Sequence, residues 1–98
     1  MSSLRPGIEN ALMNWWVYMI EAEDGSLYTG VTTDLSRRFE QHRGGARGAK
    51  YFNTRKPVAI VYAERSPGRS DAQRREAAIK KMQRAEKLAL LQDFIEFR

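Results

Sequence analysis

The fold class predicted from the sequence is α+β: one small domain with strands and helices in the order β-β-α-β-α-α. Aromatic and β-branched residues fill two stretches, 15–20 and 27–31, and an apolar run follows at 58–63, which together predict three strands. Helical spacing of apolar residues between capping and breaking residues predicts the helices. A chain of 98 residues supports one modest core, so we assign residues 14–98 to a single domain and expect residues 1–13 to be a disordered lead.

The two leading strands are expected to pair as a hairpin through the loop Glu23-Asp24-Gly25, with Gly in the left-handed conformation at its end. This loop sets the register, because pairing of residue 22 with residue 26 places position 18 opposite 30 and position 20 opposite 28. Tyr18 and Tyr28 then lie on one face as diagonal neighbours, about 7–8 Å apart at Cα. The opposite face is predicted to be core and carries Trp15, Val17, Met19, Leu27 and Val31.

The segment after the hairpin has the pattern of an amphipathic helix. Thr32-Thr33-Asp34 offers capping side chains at its start, and Gly44-Gly45 ends it. The Leu35–Phe39 stripe is expected to dock on the sheet. Arg38 and His42 are four residues apart, so they share a neighbouring face of the helix.

Two more helical patterns complete the chain. Ser70 and Gln73 have the spacing of a capping box and predict a helix from Ser70 to Met82. Residues 84–97 form a further amphipathic stretch, and no Gly or Pro separates the two, so they form either two helices or one kinked helix. The side chains expected on their apolar faces are Ala72, Ile79, Met82, Leu88, Leu91, Phe94 and Ile95.

The net charge of +5 is unevenly distributed along the chain. Residues 37–56 carry seven basic side chains and one acidic, whereas residues 1–36 carry one basic and five acidic. Clustered Lys and Arg favour a phosphate-rich partner, because binding releases counterions from nucleic acid; the alternative is that they serve solubility alone. Basic and aromatic residues are interleaved in the loop 44–57, where Tyr51 or Phe52 either stacks on a base or pins the loop to the core.

Composition also excludes several classes of site and location. No cysteine is present, which excludes disulfides and thiolate metal sites. No segment approaches the length of a membrane span, and residues 1–13 lack the apolar run and cleavage site of a signal peptide. We therefore expect a soluble, cytoplasmic protein that makes no membrane contact.

Beyond these patterns, a set of residues resembles the GIY-YIG nuclease domain. In order along the chain, the set is Val17-Tyr18, Tyr28-Thr29-Gly30, Arg38, His42 and Arg75-Glu76. The resemblance covers roughly residues 14–92 and is closest to the small stand-alone bacterial members of unassigned function. This chain differs from the motif where Trp16-Val17 replaces the leading Gly-Ile and Thr29 replaces an Ile, although both tyrosines stay in place.

The resemblance implies a three-stranded antiparallel sheet flanked by helices, a single divalent ion, Mg²⁺ or Mn²⁺, and hydrolysis of a nucleic-acid phosphodiester. The catalytic residues that it implies are Tyr18, Tyr28, Arg38, His42 and Glu76. Glu76 would bind the metal and Arg38 would hold the phosphate, with the tyrosines and His42 at the scissile group. Whether Tyr18 or His42 is the general base stays open, because a phenol needs its pKa of about 10 lowered and an imidazole with a pKa of about 6.5 does not. The predicted nucleic-acid contacts are Arg37, Arg47, Lys50 and Tyr51.

Each of these residues also has an ordinary structural explanation. Tyrosines are common in strands, and a histidine near the C-terminus of a helix often caps it. Glu76 is spaced to pair with Lys80 on a helix surface. Their joint occurrence in order is what favours a site.

Two functions from different classes remain open. The first is a metal-dependent endonuclease that hydrolyses DNA in repair or recombination, at a branched, damaged or single-stranded form, because so small a domain has little surface for reading a long sequence. The alternative is a nucleic-acid-binding module with the nuclease fold but weak or no cleavage. The absence of Asn after Asn53 favours the alternative, since several nucleases of the family use an Asn late in the domain. A protein that delivers the substrate is a further hypothesis, and the expected oligomeric state is a monomer or weak dimer.

Overall fold

The computed structural model of the chain describes residues 14–44 and 48–97. Its strands are β1 (Trp15–Ala22), β2 (Leu27–Thr32) and β3 (Pro57–Ser66), and its helices are α1 (Leu35–Gly44), α2 (Arg69–Lys80) and α3 (Arg84–Phe97), with a 3₁₀ turn at Lys50–Asn53. The predicted α+β class and element order are confirmed. The predicted lead at residues 1–13, the helix-ending Gly45 and the candidate Arg47 lie outside the described residues.

β1 is the central strand of a three-stranded antiparallel sheet with the order β2-β1-β3. The hairpin has the predicted register, with Tyr18 opposite Gly30. Gly25 ends the loop with a φ of 84°, a left-handed conformation that a residue without a Cβ adopts without strain. β3 is longer than the predicted 58–63, because its polar end, Glu64–Ser66, pairs with the start of β1.

One face of the sheet, here called the apolar face, carries the predicted core. Val17 and Met19 of β1 are fully buried there against Tyr62 of β3 and against Ala72 and Ile79 of α2. The side chains that pack around this cluster while partly exposed are Trp15, Leu27, Val31, Val61, Met82, Leu90 and Leu91. Each fully buried large apolar side chain contributes roughly 1.5–3 kcal/mol, so this face fixes α2 and α3 against the sheet.

The opposite face, here called the aromatic face, forms a second core. Tyr18, Ile20 and Ala22 of β1 are buried there with Phe52 of the 3₁₀ turn. The side chains that pack against them are Tyr28, Leu35, Phe39, Ala49, Tyr51 and Ile60. Successive side chains of a strand point to opposite faces, so β1 supplies both cores, and α1 with the 3₁₀ turn covers the aromatic one.

α1 begins where the sequence predicts. Asp34 Oδ1 accepts a hydrogen bond from the backbone N–H of Arg37 (3.0 Å), and Thr32 Oγ1 accepts one from the backbone N–H of Asp34 (3.1 Å). The first of these bonds satisfies a donor that the first turn of a helix leaves without an intrahelical partner.

α2 begins differently, and the predicted capping box is wrong. The residue before the helix is Gly68, in an extended conformation and without a side-chain cap, and the helix starts at Arg69. Because the chain enters the helix directly from Pro67-Gly68, Ser70 already lies within the first turn and cannot cap it. The backbone N–H of Ala72 instead donates to the carbonyl of Gly68 (3.0 Å).

α2 and α3 are two helices rather than one kinked helix. α2 ends at Lys80, and the Glu86 carboxylate accepts a hydrogen bond from the backbone N–H of Gln83 (2.8 Å) at the start of α3. A glutamate in the first turn that reaches back in this way is half of a capping box. No helix in the described part of the chain has both the length and the apolar character needed to cross a membrane.

The apolar side of α3 is rotated from the predicted one. Leu91 packs toward the apolar core as predicted, but Leu88 is 44% exposed, and Leu90 packs there as well. Phe94 and Ile95 are beyond the last side chain that the structure describes.

Candidate active site

Tyr18 and His42 form the centre of a buried polar cluster on the aromatic face. Tyr18 Oη lies 2.9 Å from His42 Nε2, and each residue is only 1% exposed. β1 supplies Tyr18, and α1 supplies His42 near its C-terminus. Polar side chains this deeply buried are stable when they are hydrogen-bonded, and here each is the partner of the other.

A backbone contact sets the hydrogen-bonding state of His42. The N–H of Ala49 donates to His42 Nδ1 over 3.2 Å. Because a backbone N–H can only donate, Nδ1 carries no proton, so a neutral ring carries its proton on Nε2 and donates it to the Tyr18 oxygen. Gly48 makes this approach possible, since a Cβ there would lie 2.8 Å from both His42 Cα and the Gln41 carbonyl oxygen.

Burial and nearby charge shift the pKa values of both groups. Burial, followed by the charge of Arg38, lowers the pKa of His42 to about 4, so the ring is neutral at pH 7. Burial, followed by Tyr28, raises the pKa of Tyr18 to about 12. Arg38 lowers that pKa through a hydrogen bond and its charge, whereas Glu76 raises it. The structure therefore brings Arg38 and Glu76 within electrostatic range of the Tyr18 hydroxyl.

Tyr28 contacts the same cluster through its ring. The ring centre of Tyr28 lies 6.3 Å from that of Tyr18 and 5.2 Å from that of His42. Gly30, opposite Tyr18 in the sheet, makes room for the hydroxyl, because a Cβ there would lie 2.6 Å from Tyr18 Oη and 3.1 Å from Tyr28 Cε2. The position after Tyr28-Thr29 thus has no room for a side chain beside the two tyrosine rings, which the sequence alone does not reveal.

Arg38 and Glu76, which both affect the pKa of Tyr18, lie on two different helices. Arg38, on α1, donates from Nη1 to Gln41 Oε1 over 2.9 Å. Glu76, on α2, has a side chain that is 21% exposed, and its Oε2 lies 3.1 Å from Lys80 Nζ. The helical pair with Lys80 that the spacing indicates is therefore present.

A further polar network fixes α2 on β3. Arg75, next to Glu76, donates from Nε to both carboxylate oxygens of Glu64 (3.2 and 3.0 Å), and the Tyr62 hydroxyl donates to Glu64 Oε1. These bonds hold the turn of α2 that carries Glu76. Sequence reasoning misses Glu64 and Tyr62, because only the packing of α2 on the sheet brings them to Arg75.

The structure places Arg37 and Lys50 in exposed positions, on α1 and at the start of the 3₁₀ turn. Neither is buried, unlike Tyr18 and His42. Their roles as nucleic-acid contacts stay predictions, as does that of Arg47 outside the described residues.

Tyr51, the fourth predicted contact, packs inside the protein. Its hydroxyl donates to Ser26 Oγ, its ring centre lies 5.3 Å from that of Tyr28, and the guanidinium of Arg55 lies 4.2 Å over its ring. Phe52 is 8% exposed and belongs to the aromatic core. Both aromatics thus hold the loop to the aromatic core, and the role of Tyr51 as a nucleic-acid contact stays a prediction. A base that stacks on the face of Tyr51 covered by Arg55 would have to displace that guanidinium.

Glu76 is the predicted metal ligand. Among residues 14–44 and 48–97, no three His, Cys, Asp or Glu side chains come together as a metal site. A single carboxylate suits an ion such as Mg²⁺, which keeps most of its waters and takes further ligands from substrate oxygens. The residues here fit one such ion, whereas a two-ion site needs several carboxylates around ions about 4 Å apart.

Comparison with known proteins relates the chain to one sequence family. The GIY-YIG catalytic domain matches residues 14–89. A UPF0213 protein of Desulfotalea psychrophila is 44% identical over 77 residues, which cover 79% of this chain and 70% of that protein. A UPF0213 protein of Halobacterium salinarum is 49% identical over 74 residues, which cover 76% of this chain and 95% of that protein. The names of these relatives assign no activity.

Two solution NMR structures are similar to this fold. A UPF0213 protein from Bacillus halodurans superposes with a TM-score of 0.52 at 41% identity, covering 82% of this chain and 84% of that one. A protein from E. faecalis superposes with a TM-score of 0.55 at 35% identity, covering 81% and 83%. The arrangement of sheet and helices is thus shared with solved relatives.

Proposed function

Because this chain belongs to the GIY-YIG catalytic domain family, we propose that it is a divalent-cation-dependent endonuclease that hydrolyses DNA phosphodiester bonds. The observation that carries the proposal is the cluster around Tyr18, whose oxygen lies 2.9 Å from His42 Nε2 and whose pKa responds to both Arg38 and Glu76. A phosphodiester resists hydrolysis until its charge is neutralised. We infer that the Arg38 guanidinium, the Glu76 carboxylate and the phenols of Tyr18 and Tyr28 act on one phosphate, since both charged groups affect the pKa of Tyr18.

Arg38 is the group that we assign to the phosphate. A guanidinium binds two phosphate oxygens through parallel N–H bonds, which fixes both position and orientation. The bond from Arg38 to Gln41 holds the side chain in place on α1. A phosphate on Arg38 would lie against the Tyr18 hydroxyl, since Arg38 also bonds to that group.

Glu76 is the residue that would hold the divalent cation, Mg²⁺ or Mn²⁺. When bound, the cation would neutralise charge on the phosphate and offset the effect of the Glu76 carboxylate on the pKa of Tyr18. Ala72 and Ile79, on the same helix, are fully buried, so α2 keeps Glu76 at a fixed position relative to the sheet.

The hydrogen bonds support different roles for Tyr18 and His42. His42 Nδ1 is occupied by the Ala49 N–H and Nε2 faces Tyr18, so neither ring nitrogen is directed at a water molecule. We therefore assign the proton of the attacking water to the Tyr18 oxygen, and we assign His42 the task of positioning that oxygen. Donors to a phenol oxygen favour its ionised form. Burial keeps the phenol protonated in the free protein. The phenol would therefore release its own proton to solvent when positive charge beside it lowers its pKa, and the resulting phenolate would take the proton of the attacking water.

The substrate class follows from charge and size. The segment 37–56 carries seven basic side chains and one acidic, and Arg37 and Lys50 within it are exposed. Such a segment binds the nucleic-acid backbone without reading its sequence. We propose a branched, damaged or single-stranded DNA as the substrate, in repair or recombination.

A nucleic-acid-binding module without strong cleavage is the second candidate. The observation that favours it is the absence of Asn after Asn53, where several nucleases of the family use one. The same basic segment and fold would serve that role.

Cleavage assays separate the two candidates. Plasmid, single-stranded and branched DNA are incubated with Mg²⁺ or Mn²⁺, in parallel with EDTA and with Glu76→Gln. Glu40→Gln is the matched control, because Glu40 is an exposed carboxylate on α1 that pairs with Arg43. Metal-dependent cleavage that Glu76→Gln loses and Glu40→Gln keeps supports the endonuclease. Salt-sensitive binding without cleavage supports the module, and cleavage that persists in EDTA or in Glu76→Gln contradicts the assignment of Glu76.

A further inference from the structure

Lys80 contacts the carboxylate that we assign to the cation. Lys80 Nζ lies 3.1 Å from Glu76 Oε2, one turn further along α2. Glutamate followed by lysine at this spacing is the favourable order on a helix. The Lys80 side chain is 53% exposed and that of Glu76 is 21% exposed, so the lysine reaches from solvent to a carboxylate held closer to the sheet.

The packing of α2 limits how this pair can rearrange. Ala72 and Ile79 are fully buried on the apolar face, and Ile79 directly precedes Lys80, so the backbone at both partners is fixed. Arg75, the cation next to Glu76 in the sequence, is bound to both oxygens of Glu64. The side chain of Lys80 is therefore the part that moves most easily when another cation reaches Glu76.

We propose that Lys80 competes with the divalent cation for Glu76 and thereby limits cation loading of the free protein. The proposal rests on the proposed function, which makes Glu76 the ligand. A cation such as Mg²⁺ binds a carboxylate oxygen at about 2.0–2.1 Å. Two cations that share one carboxylate repel each other, so Lys80 turns away when the divalent ion binds. A variant without the charge of Lys80 lacks this competition, so its affinity for the divalent cation is expected to be higher.

Titration calorimetry with Mn²⁺ alone tests the competition. Lys80→Met is compared with the wild type and with Lys81→Met, which removes the same charge from the next residue, an exposed one. Lys80→Met is expected to bind Mn²⁺ about threefold to tenfold more tightly, and Lys81→Met to stay within about twofold of the wild type. Thermal unfolding without Mn²⁺ checks folding, and Tm is expected to change by about 4 °C or less.

Glu76→Gln separates failure of this inference from failure of the proposed function. Loss of Mn²⁺ binding in Glu76→Gln, together with tighter binding in Lys80→Met, supports the competition. If Glu76→Gln loses binding while Lys80→Met matches or falls below Lys81→Met, the competition is overturned and the metal assignment stands. If Glu76→Gln binds Mn²⁺ as the wild type does, the ion binds elsewhere and both are overturned.

Discussion

Tyr18 and Tyr62 are both buried in the sheet and both have a pKa raised to about 12, but the groups that bind their hydroxyls differ. On the aromatic face, the Tyr18 oxygen receives the Nε2–H of His42. On the apolar face, the Tyr62 hydroxyl donates its own proton to Glu64, whose carboxylate Arg75 binds. A raised pKa alone therefore does not identify a reactive tyrosine. What distinguishes the two is the partner: the Glu64 carboxylate holds the Tyr62 proton and raises the pKa of Tyr62, whereas His42 and Arg38 donate to the Tyr18 oxygen.

The neighbours across the sheet differ in the same way. Tyr18 lies between Gly30 of β2 and Ala63 of β3, whereas Tyr62 lies opposite Met19. Small residues leave space at the Tyr18 hydroxyl, and the long methionine fills space beside Tyr62. The two environments thus separate the phenol of the proposed site from a phenol in a packed core, although strand propensity favours tyrosine equally at both positions.

The largest expected effect is the difference in cleavage between Tyr18→Phe and Tyr62→Phe. Tyr18→Phe removes the oxygen that we assign to the water proton, so the cleavage rate is expected to fall about 100-fold or more. Tyr62→Phe leaves the two bonds from Arg75 to Glu64 that hold α2 on the sheet, so the rate should stay within about threefold of the wild type. Rates on single-stranded and branched DNA with Mn²⁺ measure both, with thermal unfolding to check that each variant folds. Equal losses in the two variants would show that Tyr18 acts through packing.

Gly30→Ala tests whether the space beside Tyr18 is required. The new Cβ would lie 2.6 Å from Tyr18 Oη and 2.8 Å from Cζ, so the ring has to move and its bond to His42 is strained. We expect a loss of about 3 kcal/mol in the free energy of unfolding, measured by urea denaturation. Gly44→Ala is the control, because nothing lies within 4 Å of a Cβ there. A change in Gly30→Ala as small as that in the control would mean that the Tyr18 ring is loosely held.

The pH dependence of stability tests the neutral state of His42. Its folded-state pKa of about 4 lies below the unfolded value of about 6.5, so between these values the unfolded chain binds more protons. Stability from this group is complete above pH 6.5 and falls as the pH drops toward 4. We expect a loss of about 2 kcal/mol between pH 7 and pH 5 by urea denaturation. His42→Gln cannot titrate, and a parallel loss in that variant would assign the effect to other groups.

The placement of the two hairpin tyrosines could be predicted because it depends on local rules. A three-residue loop with a glycine fixed the register, and strand alternation then put Tyr18 and Tyr28 on one face. The capping box predicted at Ser70 also depends on a local rule, but this prediction was wrong. The extended Gly68 precedes the helix, which therefore begins at Arg69. Local patterns thus predict the start of a helix or strand when no neighbouring residue offers a second starting point one or two positions away.

The role of His42 could not be predicted from local rules. Its state depends on the Ala49 N–H, which arrives through a loop that packs on α1 at Gly48. The Glu64–Arg75 pair is likewise created by tertiary packing between β3 and α2. Such contacts have no period along the chain, so only the folded structure reveals them.

The smallest expected effect concerns Thr29, which lies on the same face as Tyr62. Thr29 is 3% exposed, and its Oγ1 has no hydrogen-bond partner among the protein atoms that the structure describes. A buried hydroxyl without a partner costs folding free energy, so Thr29→Val, which keeps the shape, should stabilise the protein by about 1 kcal/mol in urea. Thr32→Val should act in the opposite direction, because Thr32 Oγ1 accepts the backbone N–H of Asp34 at the start of α1. Loss of stability in Thr29→Val would show that its hydroxyl has a partner, and the apolar face would then hold a polar site of its own.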